Sequence, residues 1–219
     1  MPFRNLSLAL SLLLFASCGS DVNLVSKERA LNGKSSLNNK LTYPPNAGRY
    51  STYEPSESLV TKGRSMPKDK HGMPLYSTER VRHVRTTAYH CSEPDHLQYG
   101  SMNATGTPLK YSNRVRSAAA DWSVYPVGTV FKIKGMSQLF VIDDYGSALV
   151  GTGTIDIYTP NASQMKAWGR RNVEIAIVQW GSYARSAHLL SGRTHHAHCH
   201  QMYAAIQRKT GGRADTAAR

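Results

Sequence analysis

Four aspartates stand where a carboxylate is costly to keep. The run QLFVIDD ends in Asp143 and Asp144, TIDIY holds Asp156 between Ile155 and Ile157, and RSAAAD closes on Asp121. Taking a carboxylate out of water is expensive unless it is paired, so each needs a partner or a task. Apolar burial and nearby like charge both raise a carboxyl pKa. That shift lets an aspartic acid give up and take back a proton near neutral pH. Asp156 has the apolar setting for this, and Asp144 and Asp121 supply the like charge. The rival reading of Asp156 is structural, a carboxylate that caps loops through backbone N–H groups. Asp143, directly before DYGS, reads as a turn residue.

The elements that must position these acids are short. VRHVRTTAYH, RVRSAAAD, GTVFKIKG, QLFVIDD, TIDIY and NVEIAIVQW are rich in β-branched and aromatic residues and are separated by turn signals, which predicts six strands. TPNASQMKAWG predicts one helix, with Thr159 as N-cap, Pro160 in the first position and Gly169 at the end. A parallel α/β sheet would need a helix after nearly every strand, so the pattern argues for a mainly β fold, a small six-stranded barrel.

At 219 residues and 40% hydrophobic content the chain has room for one core plus extensions. Residues 1–18, MPFRNLSLALSLLLFASC, read as a secretory signal with a lipobox-like end, which makes Cys18 the lipidation candidate. Residues 19–80 shift to Ser, Asn, Lys, Pro and Tyr without periodicity and read as a flexible tether. Some sixty such residues span on the order of 40 Å, enough to carry an anchored domain toward a cell wall. Residues 81–184 hold the barrel, and 185–219 form a basic, His-rich tail.

With Cys18 lipidated, Cys91 and Cys199 remain as an even pair in an oxidising space and are the disulfide candidate. The tail carries His195, His196, His198 and His200, with His196 and His200 one turn apart if helical. Two imidazoles do not make a metal site, and no metal or other cofactor is expected. A formal charge of +13 suits polyanionic partners. The export signal turns that expectation from nucleic acid toward anionic envelope polymers.

The succession TTAYH, NATG, RSAAAD, YPVGTVFKI, VIDDYGSALVG, IDIY and WGRRNVEIAIV resembles the three-aspartate (3D) domain, shared with the catalytic part of membrane-bound lytic transglycosylase A. The resemblance covers roughly residues 84 to 181 and implies a double-psi β-barrel. The family's three aspartates fall on Asp121 in AAADW, where Trp122 replaces the usual proline, on Asp144 in DYGS, where Ser147 replaces a second glycine, and on Asp156 in IDIY. The loop from Asp144 to Asp156 is one residue longer than the family spacing.

What the resemblance implies is cleavage of peptidoglycan glycan strands between N-acetylmuramic acid and N-acetylglucosamine with formation of 1,6-anhydro ends. Asp156 would be the acid and base, Asp144 and Asp121 its supports, and Tyr89, Thr105 and Gly146 would contact sugar. The expected place is the bacterial cell envelope, on a lipid anchor facing the periplasm where the host has an outer membrane. A non-catalytic, expansin-like module that binds wall polysaccharide is the alternative, because fold does not fix function.

Overall fold

A computed structural model describes residues 53–93, 97 and 100–216. The signal, Cys18 and the tether up to residue 52 lie outside the described residues. Strands β1 (Val81–Tyr89), β2 (Val115–Ala120), β3 (Val130–Ile133), β4 (Leu139–Asp144), β5 (Ile155–Tyr158) and β6 (Arg171–Gln179) form the sheet. They close into a barrel in the order β1-β5-β2-β4-β3-β6. The pairs β1/β5 and β2/β4 are parallel and the others antiparallel, so the barrel is mixed. The expected six-stranded β-barrel is met, strand for strand.

Period-two alternation fills the interior. Val84, Ala118, Ala120, Phe131, Ile133, Phe140, Ile142, Ile155, Ile157, Val173, Ile175 and Ile177 all belong to one buried cluster. Phe131 stacks on Phe140 at 5.3 Å inside it. The residues between them on each strand therefore face outward, and the aspartates are among those.

Three expectations are corrected around the barrel. The tether ends earlier than residue 80. Residues 53–80 hold helix α1 (Glu57–Arg64), and Leu59, Met73 and Tyr76 are buried. Their polar composition hides specific bonds: Ser56 N–H donates to Glu174 Oε2 at 2.8 Å, and Arg82 is caged by Tyr76, Tyr125 and Trp180. The helix after β5, α2 (Ala162–Trp168), is capped by Asn161 rather than Thr159, through the side-chain oxygen accepting from Gln164 N–H. Thr159 instead donates its hydroxyl to the Tyr89 carbonyl.

The His-rich tail is no loose extension. It forms α3 (Tyr183–Ser191), α4 (Ala197–Thr210) and the short α5 (Arg213–Thr216). Leu190, Cys199, Met202 and Ile206 from it are fully buried in the barrel's own cluster. Entry to this helical unit runs through Gly181, where an added Cβ would stand 2.3 Å from the carbonyl oxygens of both Pro126 and Val127. Only glycine fits that crossing.

Candidate active site

Strand register places the acids. Ala119 of β2 pairs with Asp144 of β4 on one side and with Asp156 of β5 on the other. Asp156 in turn pairs with Thr87 of β1. Asp144, Ala119, Asp156 and Thr87 thus form one row across four neighbouring strands. Ile155 and Ile157 point into the core, so the row lies on the outer face. Ala119 is the smallest side chain in the row and leaves a shallow trough between the two carboxylates. Tyr89, Leu149 and Tyr158 build a second buried cluster with Ala119 around that trough.

Asp143 and Asp144 share this face because of a bulge. The β2/β4 register runs Ala118 with Ile142 and then Ala119 with Asp144, skipping Asp143. An unbroken strand would send one of two successive side chains into the core; the extra residue resets the alternation. Asp143 is therefore not a turn residue, and the expectation to that effect is corrected. Its Oδ2 accepts from Lys110 Nζ at 2.8 Å and from Ser117 Oγ at 2.9 Å. Its Oδ1 is buried without a hydrogen bond. Burial pushes the Asp143 carboxyl above the ordinary carboxylate range, with Lys110, Ser117 and the nearby Asn103 pulling the other way. Asn103 acts by proximity, its contact falling short of hydrogen-bond geometry.

Asp144 is buried and well supplied with donors. Tyr89 donates its hydroxyl to Oδ2 at 3.0 Å. The backbone N–H groups of Ala104 and Tyr145 donate to Oδ1 at 3.1 and 3.0 Å. Burial holds the Tyr89 phenol well above its usual pKa, reinforced by the charges of Asp144, Asp143 and Asp156, so it remains a donor. That one hydroxyl feels all three acids, which places them around a common point. Asp156 is the partly exposed member of the row. Its Oδ1 accepts from Thr87 Oγ1 at 2.7 Å.

Residues 116–179 match the family model of the 3D domain. This chain carries a 3D domain. The match runs from β2 to the end of β6, and β1, which brings Thr87 and Tyr89, completes the barrel outside it. Among curated proteins, a cell wall shaping protein, YabE, of Bacillus subtilis (strain 168) is 32% identical over 102 residues, which is 47% of this chain and 24% of that protein. The chain spans about a quarter of the length of the curated relative it matches.

Within the 3D domain, Asp121 stands apart from the row. It is 1% exposed and accepts from Ser123 N–H and Oγ at 2.8 and 2.7 Å and from Gly151 N–H at 2.7 Å. Its geometry is that of a clamp on the loop between β4 and β5. Asp69, which the sequence gave no reason to select, clamps the same loop by accepting from Gly153 N–H at 3.0 Å. Trp122, the departure from the family pattern, is fully buried. Its indole N–H donates to the Asp144 carbonyl at 2.9 Å, and its ring meets Tyr145 edge-on at 5.0 Å. The tail helices reach the site by the same route, since Arg193 donates to the Ala104 carbonyl at 2.8 Å.

Thr105 belongs to the loop that docks on Asp144. Its N–H and hydroxyl both go to Asn103 Oδ1, one residue beyond the Ala104 contact. Gly146 opens the 3-10 turn Ser147–Leu149 directly after Asp144 and Tyr145. Thr87 and Tyr158, which join the site, were legible as the i−2 and i+2 neighbours of Tyr89 and Asp156 on alternating strands.

The expected disulfide is absent. Cys91 and Cys199 are both free. The Cys199 thiol is buried against the Tyr145 hydroxyl at 3.4 Å, and Cys91 lies by the Tyr158 hydroxyl. The two sit in different clusters because the tail folds into the core instead of returning to the end of β1. In the tail His196 precedes the first turn of α4 rather than standing within the helix, and its ring stacks with those of His195 and His198. Among the described residues no group of three or more His, Cys, Asp or Glu is placed to hold a metal ion. No helix among them is long and apolar enough to cross a membrane.

Proposed function

We propose that this protein cleaves peptidoglycan glycan strands as a lytic transglycosylase, with Asp156 as both acid and base. The observation that carries the reading is the outer-face row, in which Asp156 is the accessible carboxylate and the others are tied down. An exposed trough suits a polymer that must lie across the protein. Asp156 gives its proton to the glycosidic oxygen as the bond to C1 of N-acetylmuramic acid breaks. The same residue then takes the proton of the C6 hydroxyl as that oxygen closes on C1, so no water is consumed and a 1,6-anhydro end forms. Asp144, across Ala119, supplies negative charge beside the developing oxocarbenium ion. Asp121 acts at a distance, through the loop it clamps.

The kinship with a protein named for cell wall shaping supports action on the wall. Export with a lipid anchor at Cys18 fits the same place and remains part of this proposal. A specific observation favours the second reading, a non-catalytic polysaccharide-binding module: the two cavities of the barrel, of about 530 and 290 Å³, lie away from the aspartate row. Mass spectrometry of the soluble products from purified sacculi separates the two. Muropeptides with 1,6-anhydro ends support the enzyme. Reducing ends would mean hydrolysis, and binding without soluble product would favour the module.

A further inference from the structure

The smaller cavity, about 290 Å³, opens at the end of the barrel between β2, β5 and α2. Tyr53, Tyr111 and Trp168 give it aromatic walls, and Arg116 and Arg171 give it charge. Each guanidinium lies over a ring: Arg116 is 4.3 Å from the centre of Tyr111, and Arg171 is 4.3 Å from that of Trp168. No carboxylate lines the cavity. Among the described residues neither arginine forms an ion pair. Arg171 is fixed by its Nε and Nη2, which donate to the carbonyls of Trp168 and Ala167 at 2.8 and 2.9 Å, and its Nη1 keeps its donor capacity.

The cavity connects to the aspartate row through tyrosines. Tyr111 on its rim meets Tyr158 edge-on at 6.4 Å, and Tyr158 meets Tyr89 at 5.6 Å. Tyr158 is two residues from Asp156 on β5, about 7 Å along the strand. A sugar ring can lie against these faces, and a planar guanidinium held in place is matched to a carboxylate. Two uncompensated positive charges beside stacking surfaces call for an anionic substituent on a saccharide rather than a neutral sugar.

We infer that this cavity is a subsite for a carboxylate carried by the glycan strand, the acidic peptide stem beside the cleaved bond. The inference rests on the transglycosylase reading for the identity of the strand, and binding tests it without turnover. In the full chain bearing Asp156→Asn, the probes are a disaccharide–peptide fragment, the same fragment with its carboxylates amidated, and peptide-free glycan. Calorimetry gives affinity, and the Trp168 indole N–H resonance reports occupancy of the cavity.

The carboxylate form should bind at least about tenfold more tightly than the amidated form, the scale of a lost charge-assisted hydrogen bond. Arg116→Gln should remove most of that preference and Arg116→Lys should keep part of it; Arg171→Gln tests the opposite wall. Equal binding of the two fragments, an unmoved Trp168 resonance, or a preference that survives both glutamine variants overturns the subsite. Release of anhydro products by the wild type is measured in parallel. Products without a carboxylate preference sink the subsite alone. A preference without any product supports the subsite and sinks the reading of Asp156.

Discussion

Thr87 donates its hydroxyl to Asp156 at 2.7 Å, and the two are direct partners across the parallel β1/β5 pair. The strand ladder thus fixes both ends of the bond, and one carboxylate oxygen is oriented before any substrate arrives. Such preorganisation is what a positioned acid requires.

Asp156→Asn preserves shape and can still accept from Thr87, but it cannot deliver a proton. Release of 1,6-anhydro muropeptides should fall by at least about a hundredfold with the thermal midpoint unchanged. Thr87→Val should cost up to about tenfold in kcat, the worth of one hydrogen bond, with KM little affected. Full activity in Asp156→Asn would remove the residue from the mechanism.

Asp144→Asn should behave differently, because its carboxylate accepts from Tyr89, Ala104 and Tyr145. An amide presents one oxygen and turns N–H groups toward donors. A loss of about 1–3 kcal/mol in stability is expected, seen in urea unfolding, along with slower turnover. Unchanged stability would argue against a fully engaged carboxylate.

Asp121→Asn should loosen the β4–β5 loop, since Gly151 N–H loses its charged acceptor. Hydrogen exchange of residues 147–153 should quicken while exchange in the barrel strands stays slow. An activity loss with no change in that loop would point to direct contact with substrate instead.

The Asp143 carboxyl is pushed up by burial despite Lys110. Its folded pKa then exceeds its unfolded one, and between the two values the folded state holds the extra proton. In that window this group adds stability as the pH falls, and above the folded value the full cost of burying the charge stands. Wild type should therefore gain on Asp143→Asn as the pH is lowered from neutral toward the carboxylate range. Urea denaturation over a pH series reads the difference, and a gap that stays flat or narrows on acidification refutes the assignment.

Mapping of protein from its native compartment without reduction should find Cys91 and Cys199 as separate free thiols. Cys199, with no exposed surface, should resist alkylation until unfolding, whereas Cys91 should react in the folded state. A Cys91–Cys199 peptide would mean that the tail docks otherwise than described.

The sequence by itself determined the strands, because alternation of Val, Ile and Phe with polar residues is a local signal that each run carries within itself. It also singled out Asp144 and Asp156, since a charge inside an apolar run is conspicuous wherever the run ends up. Tertiary structure alone decided which acids meet. Asp144 and Asp156 converge because both pair with Ala119, a register fixed by barrel closure, whereas Asp121 follows the same strand β2 and turns to Gly151. Asp143 left the turn for the strand because a bulge in β4 reset the alternation, and nothing in DDYGS distinguishes the two. The tail's histidines hid an apolar stripe of Cys199, Met202 and Ile206, whose value depends on a barrel surface far away in sequence. Local pattern is written residue by residue, but long-range pairing depends on what the other strands do.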